Sequence, residues 1–292
     1  MTKYPFYIIS KGRFHNQLTA RELTKMKVPF FICVEPQEFE NYSKTIDKTL
    51  LLCLPFSNLG QGSIPARNWV WQHSIERGFD RHWILDDNIE GFNRLNKNRK
   101  FPVICDAMFR AAEDFTDRYQ NVGLSGFNYY SFCKSTDAVP AFYLNTRIYS
   151  CILVNNLLPL RWRGKYNEDT DLSLRVLKSG YCTILFNAFL CGKVTTMRMK
   201  GGNTDEVYND GTNRRAFAES LKQQHPDCVK IVWKFNRWHH QVNYKKFRGN
   251  KLKLENKNLL TNNSNEFGMR LVDIDRLPAL YGADAVYSEE VI

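Results

Sequence analysis

Short apolar runs alternate with stretches of helical spacing along roughly the first two hundred residues, and this alternation limits the possible folds more than any other feature of the chain. FYIIS (6–10) is too short for a stable helix, and it runs into Ser10-Lys11-Gly12-Arg13. HNQLTARELTKMK then brings Leu18, Leu23 and Met26 to one helical face, VPFFICVEP (28–36) returns to strand character, and TLLLCLPF (49–56) repeats it. IPARNWVWQHSIERG reads as a helix, with Pro65 in the first turn, where a missing N–H is harmless, and Gly78 past the end. HWILDDN (82–88) is the next strand, finishing in Asp86, Asp87 and Asn88. Strands alternating with helices predict an α/β fold, a Rossmann-like, mostly parallel mixed sheet flanked by helices. Right-handed crossovers in such a sheet put ligand loops at the carboxyl ends of the strands.

The middle of the chain, NVGLSGFNYYSF and AFYLNTRIYSCILVNN, is rich in aromatic and β-branched residues and predicts further strands, some antiparallel. YNEDTDLSLRVLKSGYCTILFN gives a helix opened by Glu168, Asp169 and Asp171 and closed by Gly180, then a strand. Residues 1–200 read as one catalytic core. Residues 201–261, with a helix at 213–224, form a basic, aromatic extension, and 262–292 an acidic tail.

With 43% hydrophobic and 14% aromatic residues the chain can bury a substantial core, which excludes wholesale disorder. No run of about 18 apolar residues suits a membrane span, and the start lacks the basic-then-apolar order of a secretory signal, so a cytoplasmic location without a membrane partner is expected. The eight cysteines form no CxxC pair and read as free, mostly buried thiols. The net charge is +11; the tail holds six acids against two bases, leaving +15 on residues 1–261. A basic body favours a polyanionic partner, nucleic acid first.

Each chemical constellation has a plain reading beside a functional one. Asp86 and Asp87 at a strand exit suit a hard divalent ion, or form a solvated turn. Glu168, Asp169 and Asp171 stabilise a helix N-terminus, or supply a general base. Gly201-Gly202-Asn203-Thr204 is a turn, or a backbone cradle for phosphate. His239 and His240, between Trp238 and Tyr244, are packed side chains or metal ligands. Two basic clusters, NRLNKNRK (93–100) and KKFRGNKLK (245–253), would meet a phosphate backbone, with Phe101, Trp238, Tyr244 and Phe247 available to stack on a base.

The order of these motifs carries a resemblance. GSIPARNWVWQHSIERGFDRHWILDDN is similar to the Ala-Arg-Asn helix and acidic strand end of nucleotide-sugar glycosyltransferases with the GT-A fold, and NEDTDLSLRVLKSGYCTILFN to their Glu-Asp helix. With KYPFYIISKGRF, ILDDNIEGF, VTTMRMKGGNT and WHHQVNY, the chain resembles the TET-associated glycosyltransferase family across roughly residues 4–255. That resemblance implies a GT-A-like fold and sugar transfer to the hydroxyl of a hydroxymethylated pyrimidine, 5-hydroxymethylcytosine or 5-hydroxymethyluracil, in phage DNA, inside the host cytoplasm. It implies a nucleotide-sugar donor such as a UDP-sugar and a divalent Mn or Mg ion. By matching position, Ser10, Lys11, Arg13, Arg67, Asn68 and Asp86 would hold the donor. Asp86, Asp87, Asn88 and His240 would hold the metal, with Asn88 departing from the usual Asp-any-Asp pattern. Asp169 would be the base, Glu168 the second candidate and Asp171 a supporting charge. Two rival readings use the same residues: a metal-dependent nuclease or nucleotidyltransferase, and a non-enzymatic DNA-binding protein.

Overall fold

The computed structural model describes residues 1–136, 139–164, 166–194 and 213–255. Its first half is built of alternating strands and helices: β1 (Phe6–Ile9), α1 (Leu18–Lys25), β2 (Phe31–Val34), α2 (Phe39–Tyr42), β3 (Leu51–Cys53), α3 (Ile64–Glu76) and β4 (Arg81–Asp86). The strands pair in parallel in the order β3-β2-β1-β4. From β1 the chain moves to one side through β2 and β3, and α3 returns it to the other side as β4. Strand order therefore reverses between β1 and β4, and the carboxyl ends of the strands at such a reversal are where open α/β sheets bind ligands. The expected boundaries of α3 hold, with Pro65 in the first turn and Gly78 at φ 76° beyond its end.

The second half contributes β5 (Ile89–Asn96), β6 (Arg99–Pro102), α4 (Ala107–Asp117), β7 (Val122–Tyr129), β8 (Phe142–Leu144), β9 (Cys151–Asn155), α5 (Glu168–Lys178) and β10 (Cys182–Lys193). These strands extend the sheet through β9, β7, β10, β5 and β6, while β8 pairs with β10. Because β9 is antiparallel to both β4 and β7, and β10 is parallel to β7, strands β1, β2, β3, β4, β7 and β10 all point the same way. Their carboxyl ends share one edge of the sheet, and antiparallel β9 begins at that edge. Gly126 of β7 makes this possible: a Cβ there would stand 2.3 Å from the Cys151 carbonyl oxygen and 2.6 Å from Ile148. Only glycine lets the turn before β9, with Ser150 at φ 59°, lie so close. Neither α4 nor the β5–β6 hairpin is signalled by the sequence patterns above.

Helices cover both faces. Ala20 and Leu23 of α1 pack with Met108, Phe109, Ala111 and Ala112 of α4 against Phe6, Trp83 and Phe127 on one face. On the other, Ile64, Val70 and Trp71 of α3 join Leu172 and Val176 of α5 against Tyr7, Ile84 and Ile152. Full burial of such side chains contributes about 1.5–3 kcal/mol each. The far side of α5, through Leu174 and Leu177, supports a third cluster with Leu221 of α6 (Asn213–Gln224), Val229, Val242, Tyr244 and Phe247. Tyr244 and Phe247 are thus core residues, so the expectation that they stack on DNA is corrected: their rings fasten the C-terminal extension to the core. Cys53 and Cys105 are exposed, while the other six thiols are buried. Among the described residues no helix is long and apolar enough to cross a membrane. The Gly201–Thr204 segment and the tail 262–292 lie outside the described residues.

One buried acid makes stability depend on pH. Burial pushes the Glu113 carboxyl up to about 7, although Lys3 N and Trp83 Nε1 donate to it at 2.7 and 2.8 Å. Between the unfolded value near 4.3 and about 7, the native state holds a proton that the unfolded chain has released, so stability falls as pH rises through that window. The full loss is about 4 kcal/mol. Thermal denaturation at pH 5 and pH 8 should show this slope in the wild type and a flatter one in Glu113→Gln.

Candidate active site

At the reversal of strand order, β4 delivers Asp86 as its last residue, and Asp87 and Asn88 form the turn into β5. Asp87 is buried; its Oδ2 accepts from Ser10 Oγ at 2.6 Å, and its Oδ1 is paired with Arg13. Ser10 Oγ also meets Tyr42 OH at 2.6 Å, and Tyr42 OH accepts from Arg13 N at 3.1 Å. The loop after β1 is thereby pinned to the end of β4 across the point where strand order reverses. Burial raises the Asp87 carboxyl above its ordinary value even with Arg13 beside it.

Asp86 lies among cations. Arg67 of α3 donates to Oδ1 at 3.1 Å, and Lys193 Nζ, at the end of β10, stands 2.6 Å from Oδ2. Ser150 Oγ donates to the same oxygen at 2.7 Å, and Tyr129 OH, at the end of β7, meets Ser150 Oγ at 2.6 Å. Burial opposes the charge on Asp86, but Lys193 and Arg67 outweigh it and hold the carboxyl well below the usual carboxylate range. Lys193 is raised in turn: burial would lower it, and Asp86 more than compensates.

Arg67 connects this cluster to α5. Its Nε donates to Ser63 Oγ at 3.0 Å and lies 3.8 Å from Glu168 Oε1, to which Ser63 Oγ donates at 3.2 Å. Its guanidinium also stacks 4.7 Å from the Trp162 ring. The two acidic groups, about 80 residues apart in sequence, therefore meet around one cation, and that cation is a guanidinium. Burial raises the Glu168 carboxyl despite Arg67. Beside it, Asp169 Oδ1 accepts from Thr170 N at 2.7 Å, which leaves Oδ2 without a hydrogen bond among the described residues. Arg147, whose guanidinium lies 4.8 Å over the Tyr149 ring, faces Asp169; burial alone would lower its pKa, and Asp169 holds it above its ordinary value.

A family model described as TET-Associated Glycosyltransferase matches residues 4–202, more than half of the chain. The chain belongs to the TET-associated glycosyltransferase family. It is a glycosyltransferase with an α/β fold, a large mixed sheet flanked by helices. No curated protein matches it. Two solved structures show distant likeness. One is a Desulfovibrio desulfuricans protein assigned to the nucleotide-diphospho-sugar transferases, at 11% identity and TM-score 0.39, over 77% of this chain and 96% of that one. The other is mannose-6-phosphate isomerase from Helicobacter pylori, at 9% identity and TM-score 0.30, over 87% and 94%.

In this glycosyltransferase Ser10, Arg13, Arg67, Asp86 and Asp87 gather at one sheet edge, with Glu168 joined to them through Arg67. The other expected residues have different surroundings. Lys11 Nζ lies 3.3 Å from Glu35 and donates to Asn58 at 3.2 Å. Asn68 spends both ends of its amide on the Trp162 backbone, at 2.9 and 2.8 Å, and so fixes the ring that Arg67 stacks on. Asp171 is buried under Arg163, Arg175 and His225, at 3.0, 2.7 and 2.9 Å, which makes it an anchor for α5. His240, on a hairpin beyond α6, senses Arg147 and Asp169; burial first, then Arg147, pushes it down to about 4, so it is neutral at pH 7. Sequence patterns gave no signal for Lys193, Ser150, Tyr129 or Arg147.

The residues expected to hold a divalent ion do not fit one in this arrangement. Asp86 and Asp87 turn their oxygens toward Arg67, Lys193, Ser150, Arg13 and Ser10. Three cations, Arg13, Arg67 and Lys193, already balance three acids, Asp86, Asp87 and Glu168, so a dication would enter a cluster with no excess negative charge. Asn88 Oδ1 is buried without a partner, but it is one neutral oxygen, and His240 faces the α5 side. Among the described residues no group of three or more His, Cys, Asp or Glu is placed to hold a metal.

Proposed function

We propose that this glycosyltransferase moves a sugar from a nucleotide-sugar donor, such as a UDP-sugar, to the hydroxyl of a hydroxymethylated pyrimidine, 5-hydroxymethylcytosine or 5-hydroxymethyluracil, in phage DNA. The observation that carries the reading is the Arg67 bridge, which brings a cationic strand-end cluster and the N-terminus of α5 into one site. The donor's diphosphate lies against Arg67, Lys193 and Arg13, whose fixed charges stabilise the negative charge that builds on the departing nucleoside diphosphate. Lys11, with Glu35 just past β2 and Asn58 in the loop after β3, lines the nucleoside side. Asp169, through its unengaged Oδ2, takes the proton from the acceptor hydroxyl as that oxygen attacks the anomeric carbon. Glu168 holds Arg67 in register and is the reserve base.

The divalent ion implied by the resemblance would have to draw Asp86 and Asp87 away from their cations, so no step of this proposal runs through one. A nuclease or nucleotidyltransferase would need those acids free to share metal ions, and the Arg67 bridge disfavours that reading. DNA as acceptor is supported by the +15 carried on residues 1–261 and by the hydroxyl such a base offers.

Incubating the protein with hydroxymethylated oligonucleotides and a panel of sugar nucleotides should add one pentose- or hexose-sized mass per modified base. Unmodified oligonucleotides, lacking the nucleophile, should gain none. A panel that leaves every oligonucleotide unchanged refutes the proposal.

A further inference from the structure

The hairpin formed by β11 (Val229–Lys234) and β12 (Arg237–Val242) shows a gradient that the fold does not need. At its base Val229 pairs with Val242, and both are buried with Leu174 and Leu177 of α5. Toward the tip the strands become exposed, and there the side chains are large and apolar: Trp233 is 56% exposed, Trp238 36% and Phe235 74%. The two tryptophans pair across the strands with centroids 5.1 Å apart, and the Arg215 guanidinium lies 5.2 Å over Trp238. The turn is Phe235-Asn236, with φ of 51° and 56°. Positive φ at both residues makes this a type I′ hairpin turn, a conformation that asparagine tolerates and bulky side chains rarely adopt. An apolar ring is thus held out in solvent at a position where Asn or Gly would be relaxed. An exposed apolar cluster of this kind marks an interaction surface.

Charge selects the partner. Between Cys228 and Leu254 the chain carries eight Lys or Arg and no acid, with Lys234 and Arg237 flanking the tip. The hairpin is also mounted on the helix that carries Asp169, and His240 on β12 lies close enough to Arg147 and Asp169 to feel their charges. The hairpin is therefore attached to the helix proposed to carry the base, with its tip in solvent.

We infer that this hairpin is a DNA wedge: Phe235 enters the base stack beside the target pyrimidine, and Trp233, Trp238 and the flanking bases hold the opened strand. This rests on the proposed DNA acceptor and adds how the duplex is opened. A pyrimidine inside a duplex must leave the stack to reach an enclosed site, and aromatic residues in a basic groove stabilise the opened strand.

The test is a duplex with 2-aminopurine next to the hydroxymethylated base, with the wild type and Phe235→Asn compared. Asn suits the turn, so the melting temperature of the variant should not fall. Wild-type protein should raise 2-aminopurine emission severalfold, and Phe235→Asn should remove the rise and cut the ratio of duplex to single-strand transfer about tenfold, the order expected for losing one stacked contact. The emission arm needs no sugar transfer, so it judges the wedge even if the transfer assay overturns the proposed reaction. An equal rise with both proteins overturns the wedge. So does a blue shift of tryptophan emission with anionic phosphatidylglycerol vesicles and none with duplex, which would make the tip a membrane contact.

Discussion

Asp169→Asn is expected to lower the transfer rate by about 10²- to 10⁴-fold, the range for losing a positioned general base. The substitution is nearly silent for the fold. Asp169 Oδ1 accepts from Thr170 N at 2.7 Å, and the amide oxygen of Asn can keep that bond, so the first turn of α5 stays in place. Only the basic oxygen is lost. Donor affinity should change little, because Arg67, Lys193 and Arg13 are untouched. Glu168→Gln should act through a different route: it weakens the contacts with Ser63 and Arg67 and should disturb donor binding together with rate. Measuring kcat and donor KM for both variants separates the roles. An Asp169→Asn enzyme with wild-type kcat would remove Asp169 from the chemistry.

The second large effect concerns Lys193. Its ammonium lies 2.6 Å from Asp86 Oδ2 and 2.9 Å from Ser150 Oγ, at the sheet edge where a divalent ion was expected. If fixed cations neutralise the leaving diphosphate, wild-type transfer should survive extensive chelation, while Lys193→Met should cost about 10²- to 10³-fold, the scale for losing one electrostatic stabiliser. The variant also leaves Asp86 with Arg67 as its cation, so its carboxyl should move back toward the ordinary range. Assays with excess EDTA, then with added Mn²⁺, check both statements. Loss of wild-type activity in EDTA and its recovery with Mn²⁺ would show that an ion displaces Lys193 from Asp86.

Much of this site was legible in sequence because its acids sit at element ends, where local pattern is strongest. The strand in HWILDDN, which ends at Asp86 with Asp87 and Asn88 in the turn, the Pro65 start of α3 and the acid-opened, Gly180-closed α5 all appear, and they carry Arg67, Asp86, Glu168 and Asp169. Lys193, Ser150 and Tyr129 were invisible for the opposite reason. They come from β10, the turn before β9 and β7, and only the antiparallel insertion of β9 beside β4 brings them to Asp86; no spacing along the chain encodes that. The hairpin β11–β12 was read as a basic, aromatic stretch because Phe235-Asn236 is not a recognisable turn pair and its alternation is blurred by Trp and His on both faces. His240, implied as a metal ligand by resemblance, lies on the hairpin mounted on α5, where it feels the charges of Arg147 and Asp169. Tyr244 and Phe247 were read as available to DNA because basic neighbours surround them in sequence, yet three-dimensional packing spends their rings on Leu174 and Leu177.

On the proposed reading, Asp86 with its cations and Asp169 form one sugar-transfer site acting on a hydroxymethylated base. The most direct measurement is mass spectrometry of nucleosides digested from hydroxymethylated DNA in cells expressing either the wild type or Asp169→Asn. A glycosylated pyrimidine nucleoside present with the wild type and nearly absent with the variant is the predicted result. Equal levels with both proteins, or none with either, would contradict the claim.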